Sequence, residues 1–135
     1  MSDLIPEFIV IDDSRLDCFI SEKIIKNTCA DCPVRSFNEA TEALQVIKET
    51  SSTKNKTIIL LDIQMPVMNG FDFAEAFENL AEEQKAGYSI YMISSSTNET
   101  DRIRIGNYPC IRHLYKKPIT KDIVTELLAQ IMFAG

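Results

Sequence analysis

The sequence predicts an α/β domain of the doubly wound (βα)5 type: a five-stranded parallel sheet in the order 2-1-3-4-5, with helices on both faces. Three observations predict it. Five short apolar, β-prone runs alternate with segments of helical periodicity. The first and third runs are apolar almost throughout, as expected of central strands covered on both faces. The alternation ends on a helix, and right-handed crossovers then place helices on both sides of one sheet. Of the two common doubly wound orders, five strands favour 2-1-3-4-5.

The first run is Phe8-Ile9-Val10-Ile11, followed by Leu16, Ile20 and Ile24 at the spacing of one helix face. The second is Val34 to Phe37, followed by Ala40, Ala43, Leu44 and Ile47. Glu49 to Lys56, rich in Ser, Thr and Lys, reads as a polar helix-to-strand loop. The third run is Ile58-Ile59-Leu60-Leu61, and Phe73, Phe77, Leu80 and Ala81 repeat the helical pattern after it. The fourth is Ile90-Tyr91-Met92-Ile93, with a short, weakly amphipathic helix around Asn98 to Gly106. The fifth runs from Ile111 to Tyr115, and Ile123, Leu127, Leu128 and Ile131 mark the last helix.

At 135 residues and 45% hydrophobic content, the chain is long enough for one cored domain and short for two. A single domain over 1–135, with its core at about 7–133 and no separate output domain, is the expectation. A net charge of −6 and a pI near 4.8 argue against a nucleic-acid or anionic-membrane partner, since both attract Lys/Arg clusters. A protein partner is expected instead. No apolar stretch approaches a membrane span, and the residues from Met1 to Pro6 lack the basic flank and long apolar run of a leader, so a cytoplasmic location is expected. In that compartment Cys18, Cys29, Cys32 and Cys110 are expected to be free thiols. Cys29-Ala30-Asp31-Cys32 has redox or half-zinc-site spacing, but the only further ligands to complete a zinc site are Cys18, Cys110 and the lone His113.

In doubly wound sheets, ligands bind beyond the carboxyl ends of the strands. Here the first run ends in Asp12 and Asp13, the third in Asp62, the fourth in Ser94-Ser95-Ser96 and the fifth in Lys117 before Pro118. The predicted order makes the first and third strands neighbours, so three carboxylates converge on one rim. Crowded like charges raise one another's pKa unless a cation sits among them. Mg2+ suits such a site, because it takes carboxylate and carbonyl oxygens and keeps waters that a phosphoryl oxygen can replace. Ser94 can donate a hydroxyl hydrogen bond and Lys117 a compact positive charge to the remaining phosphoryl oxygens. The set describes phosphoryl transfer to a carboxylate nucleophile.

Taken singly, each residue has a plain structural explanation. Asp12-Asp13-Ser14 can be a helix cap, Asp62 a strand-ending turn residue, Ser94 the start of a polar loop, and Lys117-Pro118 a turn before a helix capped by Thr120. Independent turn chemistry would rarely put these residue types on four strand ends in this order.

Four segments carry a resemblance: Ile9-Val10-Ile11-Asp12-Asp13-Ser14, Leu60 through Asp62 to Met65-Pro66-Val67-Met68-Asn69-Gly70, Ile93-Ser94-Ser95, and Lys116-Lys117-Pro118. Over Glu7 to Phe133 the sequence resembles the single-domain, chemotaxis-type response-regulator receivers of two-component signalling. The second segment is the most specific of the four. The resemblance implies the flavodoxin-like order 2-1-3-4-5, and so supplies part of that topology. It implies phosphorylation of Asp62 by a histidine kinase or histidine phosphotransfer protein, and a Mg2+ held by Asp13, Asp62, the backbone carbonyl of Gln64 and, through water, Asp12. It further implies that Ser94 and Lys117 bind the phosphoryl group, that the bond before Pro118 is cis, and that the domain signals to a downstream protein rather than acting as an enzyme on other substrates. Gly70 is expected to close the loop after the third strand by tolerating a positive φ.

One position departs from the family pattern. Three residues before the lysine, where receivers usually carry the Tyr or Phe of their switch, this chain has Leu114. Tyr115 is adjacent, but the two-residue period of a strand points it to the opposite face unless a bulge intervenes. The departure leaves a pseudo-receiver, a binding module with little or no phosphorylation, as the alternative. A flavodoxin-type cofactor binder is disfavoured because Asp12-Asp13 would repel a cofactor phosphate. A haloacid-dehalogenase-type phosphatase would want a second Asp where Gln64 stands.

Overall fold

The structure is a computed structural model and describes residues 5–50, 56–96 and 98–133. The polar loop at 51–55, the amino-terminal residues 1–4, Thr97 and the last two residues lie outside the described residues. The elements are β1 (Glu7–Ile11), α1 (Arg15–Thr28), β2 (Val34–Phe37), α2 (Ala40–Glu49), β3 (Thr57–Asp62) and α3 (Gly70–Glu78). They continue as α4 (Glu82–Lys85), β4 (Tyr88–Ser94), α5 (Glu99–Arg104), a 3-10 turn (Ile105–Asn107), β5 (Ile111–Lys116) and α6 (Lys121–Phe133). All four strand pairings are parallel, in the order β2-β1-β3-β4-β5. No helix of the described residues is long and apolar enough to cross a membrane.

Alternation along the strands feeds two cores. Ile9, Ile11, Ile59, Leu61, Ile90 and Met92 pack with α2 and α3 on one face. Phe8, Val10, Ile58, Leu60, Tyr91 and Ile93 pack with α1 and α6 on the other. Each fully buried side chain of this size contributes roughly 1.5–3 kcal/mol, so β1, β3 and β4 anchor the domain. Thr120 caps α6, its Oγ1 accepting from the Ile123 N–H at 3.2 Å.

Four expectations need correction. The buried face of α1 is Cys18, Ser21 and Ile25, whereas Leu16 and Ile20 are exposed and Ile24 is half-buried. The helix is rotated by roughly a third of a turn from the stripe of large residues, because small Cys18 and Ser21 allow close approach to the sheet and α6. The third helix stops at Glu78, where Asn79 caps it, so Leu80 is only half-buried and the exposed Ala81 begins the extra one-turn helix α4. Cys29 and Cys32 are joined as a disulfide, and only Cys18 and Cys110 are free. The turn leaving α1 brings the Cα atoms of Cys29 and Cys32 to 5.5 Å, within bonding range. Lastly, the positive φ expected of Gly70 falls on Val67, at 71°.

Candidate functional site

The site forms where β1, β3, β4 and β5 end together. At the end of β1, Asp12 Oδ1 accepts from the Ser14 N–H at 2.9 Å, and Ser14 Oγ in turn accepts from the Asp17 N–H at 3.1 Å. This double cap starts α1, satisfies one of its unpaired donors and turns Asp12 inward, where it is 1% exposed. Asp13 stays at the exposed rim. Asp62 ends β3 and is buried. Oxygens of Asp12, Asp13 and Asp62 all lie within 4.8 Å of one another.

The loop after Asp62 is shaped to return the chain at once. The Met68 N–H donates to the Pro66 carbonyl at 2.8 Å, a γ-turn centred on Val67 with its positive φ. The Gly70 N–H donates to the Ile63 carbonyl at 2.8 Å, and a Cβ at position 70 would meet the Asp62 carbonyl oxygen at 2.7 Å. Gly70 is therefore demanded by close approach. Asn69 and Asp72 complete a capping box that starts α3 directly behind the loop. Gln64 lies within this loop with its side chain exposed.

Across the site, the Lys117 N–H donates to the Ser94 carbonyl at 2.8 Å, which ties the end of β5 to the end of β4. The Lys117-Pro118 bond is cis, as expected. Lys117 Nζ lies 2.7 Å from Asp12 Oδ2, 2.8 Å from Asp17 Oδ2 and 3.5 Å from Asp62 Oδ1. The Ser94 side chain is buried, but its Oγ donates to the Ser96 carbonyl at 2.9 Å and accepts from the Ser96 N–H at 3.2 Å. In this state Ser94 serves its own loop. The sequence-predicted residues Asp12, Asp13, Asp62 and Lys117 are thus brought together, with Ser94 on the adjoining strand.

Asp17 was not anticipated. Its spacing from Ser14 reads as the acidic residue of a capping box, which hides any other role. Only the backbone N–H of Asp17 serves the cap, while its carboxylate reaches over to Lys117.

Burial pushes the Asp62 carboxyl up to about 6, the charge of Asp12 adds to this, and Lys117 only partly opposes it. Burial disfavours the charge on Lys117, yet its close contacts with Asp12 and Asp17 and the charges of Asp12 and Asp62 together hold it above the ordinary lysine range. Asp12 Oδ2 is fully buried, and the partner that faces it is the Lys117 ammonium, 2.7 Å away as an ion pair. Three carboxylates converging with a single ammonium among them leave negative charge in excess, which fits a hard divalent cation.

Comparison with known proteins agrees with this geometry. A family model described as the response regulator receiver domain matches residues 8–129. No curated protein matches the sequence. Among solved structures, a response regulator receiver protein from Dyadobacter fermentans is 34% identical with a TM-score of 0.86, the match covering 94% of this chain and 98% of that one. A two-component response regulator from Cytophaga hutchinsonii is 22% identical, with a TM-score of 0.85 and coverage of 96% and 98%. The chemotaxis protein CheY4 of Vibrio cholerae is 20% identical, with a TM-score of 0.76 and coverage of 94% and 98%. These last two speak to the fold alone.

Proposed function

The chain belongs to the response regulator receiver family, and from that premise we propose that it is a Mg2+-dependent phosphoacceptor that receives a phosphoryl group on Asp62. The observation that carries this reading is the convergence of the Asp12, Asp13 and Asp62 oxygens beside Lys117, with Asp12 and Asp62 buried. Asp13, Asp62 and the Gln64 carbonyl would hold the Mg2+ directly, and Asp12 through water. Bound there, Mg2+ would neutralise charge on the transferring phosphoryl oxygens.

The chain's own residues supply the rest. An ionised Asp62 oxygen attacks the phosphorus of a phosphohistidine; the new O–P bond forms as the N–P bond breaks, and the imidazole leaves with the electron pair. Lys117, already 3.5 Å from Asp62, moves its charge onto a phosphoryl oxygen. Ser94 exchanges its hydrogen bond to Ser96 for one to the phosphoryl group. On this reading the chain catalyses only its own phosphorylation and dephosphorylation, and signals to a protein target through the accompanying change of shape.

The donor has to reach a rim formed by the start of α1 and the loops around it. There α1 exposes Leu16 (66%), Phe19 (57%) and Ile20 (38%), an apolar patch beside Asp13 that suits a histidine kinase or histidine phosphotransfer protein. A cytoplasmic location goes with such a donor.

The test is incubation with Mg2+ and acetyl phosphate followed by intact-mass measurement. One acid-labile phosphoryl group is expected on the wild type and none on Asp62→Asn. No modification of the wild type would leave the pseudo-receiver reading in its place.

A further inference from the structure

Asp17 is not among the three clustered carboxylates, yet its Oδ2 lies 2.8 Å from Lys117 Nζ, across 100 positions of chain. We propose that Asp17 is a positioning residue, which holds the ammonium of Lys117 off the metal ligands while a divalent cation occupies the carboxylate cluster. The inference rests on the metal-binding reading given above.

The argument begins with the three partners of Lys117. Asp12 and Asp62, at 2.7 and 3.5 Å, belong to the cation site; Asp17, at 2.8 Å, does not. A divalent cation among Asp12, Asp13 and Asp62 repels the ammonium and takes over the charge of the same oxygens. Asp17 is then the carboxylate on which Lys117 can remain. Asp17 is well fixed for this, because the cap on Ser14 holds its backbone in the first turn of α1. The Lys117 side chain is 17% exposed and that of Asp17 37%, so the pair lies at the edge of the site with its ammonium end the more sheltered. Without Asp17, the remaining carboxylate partners of Lys117 are themselves metal-site residues. Ammonium and cation would then compete for the same oxygens.

The experiment titrates the full chain with Mg2+ alone by isothermal calorimetry. The forms compared are wild type, Asp17→Asn, Asp17→Glu, Lys117→Met and the double variant of Asp17→Asn with Lys117→Met. Asp17→Asn should weaken Mg2+ binding about fivefold, and Asp17→Glu should stay within about twofold of wild type. In the Lys117→Met background, Asp17→Asn should change affinity by less than about twofold, because there is no ammonium left to hold. Asp17→Ser stands in should Asp17→Asn not fold. Equal losses in both backgrounds would reveal a plain through-space charge effect and overturn the proposal, as would an Asp17→Asn affinity equal to wild type. Absence of binding by every form, wild type included, would overturn the metal reading itself and this inference with it.

Discussion

Leu114 and Tyr115 occupy opposite faces of β5. Leu114 pairs with Met92 and is buried in the core beneath α2 and α3, whereas the Tyr115 ring lies 6.1 Å from that of Tyr91 on the α6 side. β5 does contain a register shift, but it falls between the pairs Ile90–Ile111 and Tyr91–His113, before Leu114. It leaves the alternation of Leu114 and Tyr115 intact, so Tyr115 does not stand in for the aromatic residue usual at position 114.

The first prediction follows from that arrangement. Beryllofluoride, a phosphoryl mimic, should shift amide resonances most between Ser94 and Gly106, and Ser94→Ala should strongly reduce the response. Leu114→Ala should cost about 2–5 kcal/mol of stability as a core truncation while largely preserving the response. A Leu114→Ala protein of normal stability that no longer responds to beryllofluoride would identify Leu114 as a switch residue and refute this account.

Asp62 makes a second prediction. Its carboxyl is raised from 3.8 to about 6 in the folded chain, so the folded state binds this proton more tightly than the unfolded state does. Stability from this group is therefore full below the unfolded value, falls as pH rises through the window from about 4 to 6, and stays lost above it. Asp62→Asn should then stabilise the metal-free chain at pH 7 by on the order of 2 kcal/mol, with the gain fading toward pH 4. Urea denaturation at the two pH values decides it. A less stable Asp62→Asn at pH 7 would mean that Lys117 outweighs the burial of the charge.

The third prediction separates the two acids of β1. Asp12→Asn should weaken Mg2+ about tenfold, as loss of a water-mediated partner does, and Asp13→Ala should weaken it further by removing a direct charged ligand. Calorimetric affinities equal for wild type and Asp13→Ala would reject the role of Asp13.

Val67 supplies a fourth. It is β-branched, holds a φ of 71° at the centre of the γ-turn and is 95% exposed, so it suffers backbone strain without packing in return. Val67→Gly should raise stability by about 1 kcal/mol, after allowance for the greater freedom of glycine in the unfolded chain. A lower midpoint in thermal denaturation would contradict this.

Much of this was legible in the sequence for identifiable reasons. Strands such as Ile58–Leu61 are apolar on both faces, and the candidate site lies where those runs stop, so the convergence of Asp12, Asp13, Asp62 and Lys117, with Ser94 on the adjoining strand, could be expected from run ends alone. The orientation of α1 was not legible, because helical spacing defines a stripe but not which stripe faces inward. Small Cys18 and Ser21 won over Leu16 and Ile20. Asp17 escaped because Ser-x-x-Asp has a sufficient local explanation, and its partner Lys117 is distant in sequence. The Cys29–Cys32 bond depends on how the turn after α1 folds, which spacing does not determine.

The fourth of the long crossovers has an energetic consequence. α5 buries none of its residues; the contacts that tie it to the core include Arg104, whose guanidinium sits 4.1 Å from the centre of the Phe71 ring, and the half-buried Ile105 that follows. A cation–π contact of this exposed kind is worth about 0.5–1 kcal/mol. On the proposed mechanism Ser94 would exchange its bond to Ser96 for one to a charged phosphoryl oxygen, a net gain of about 1–1.5 kcal/mol. That gain at the end of β4 would be comparable with the cation–π contact that helps to hold α5. It would shift the populations of two α5 arrangements by roughly tenfold, without any aromatic ring to act as a lever.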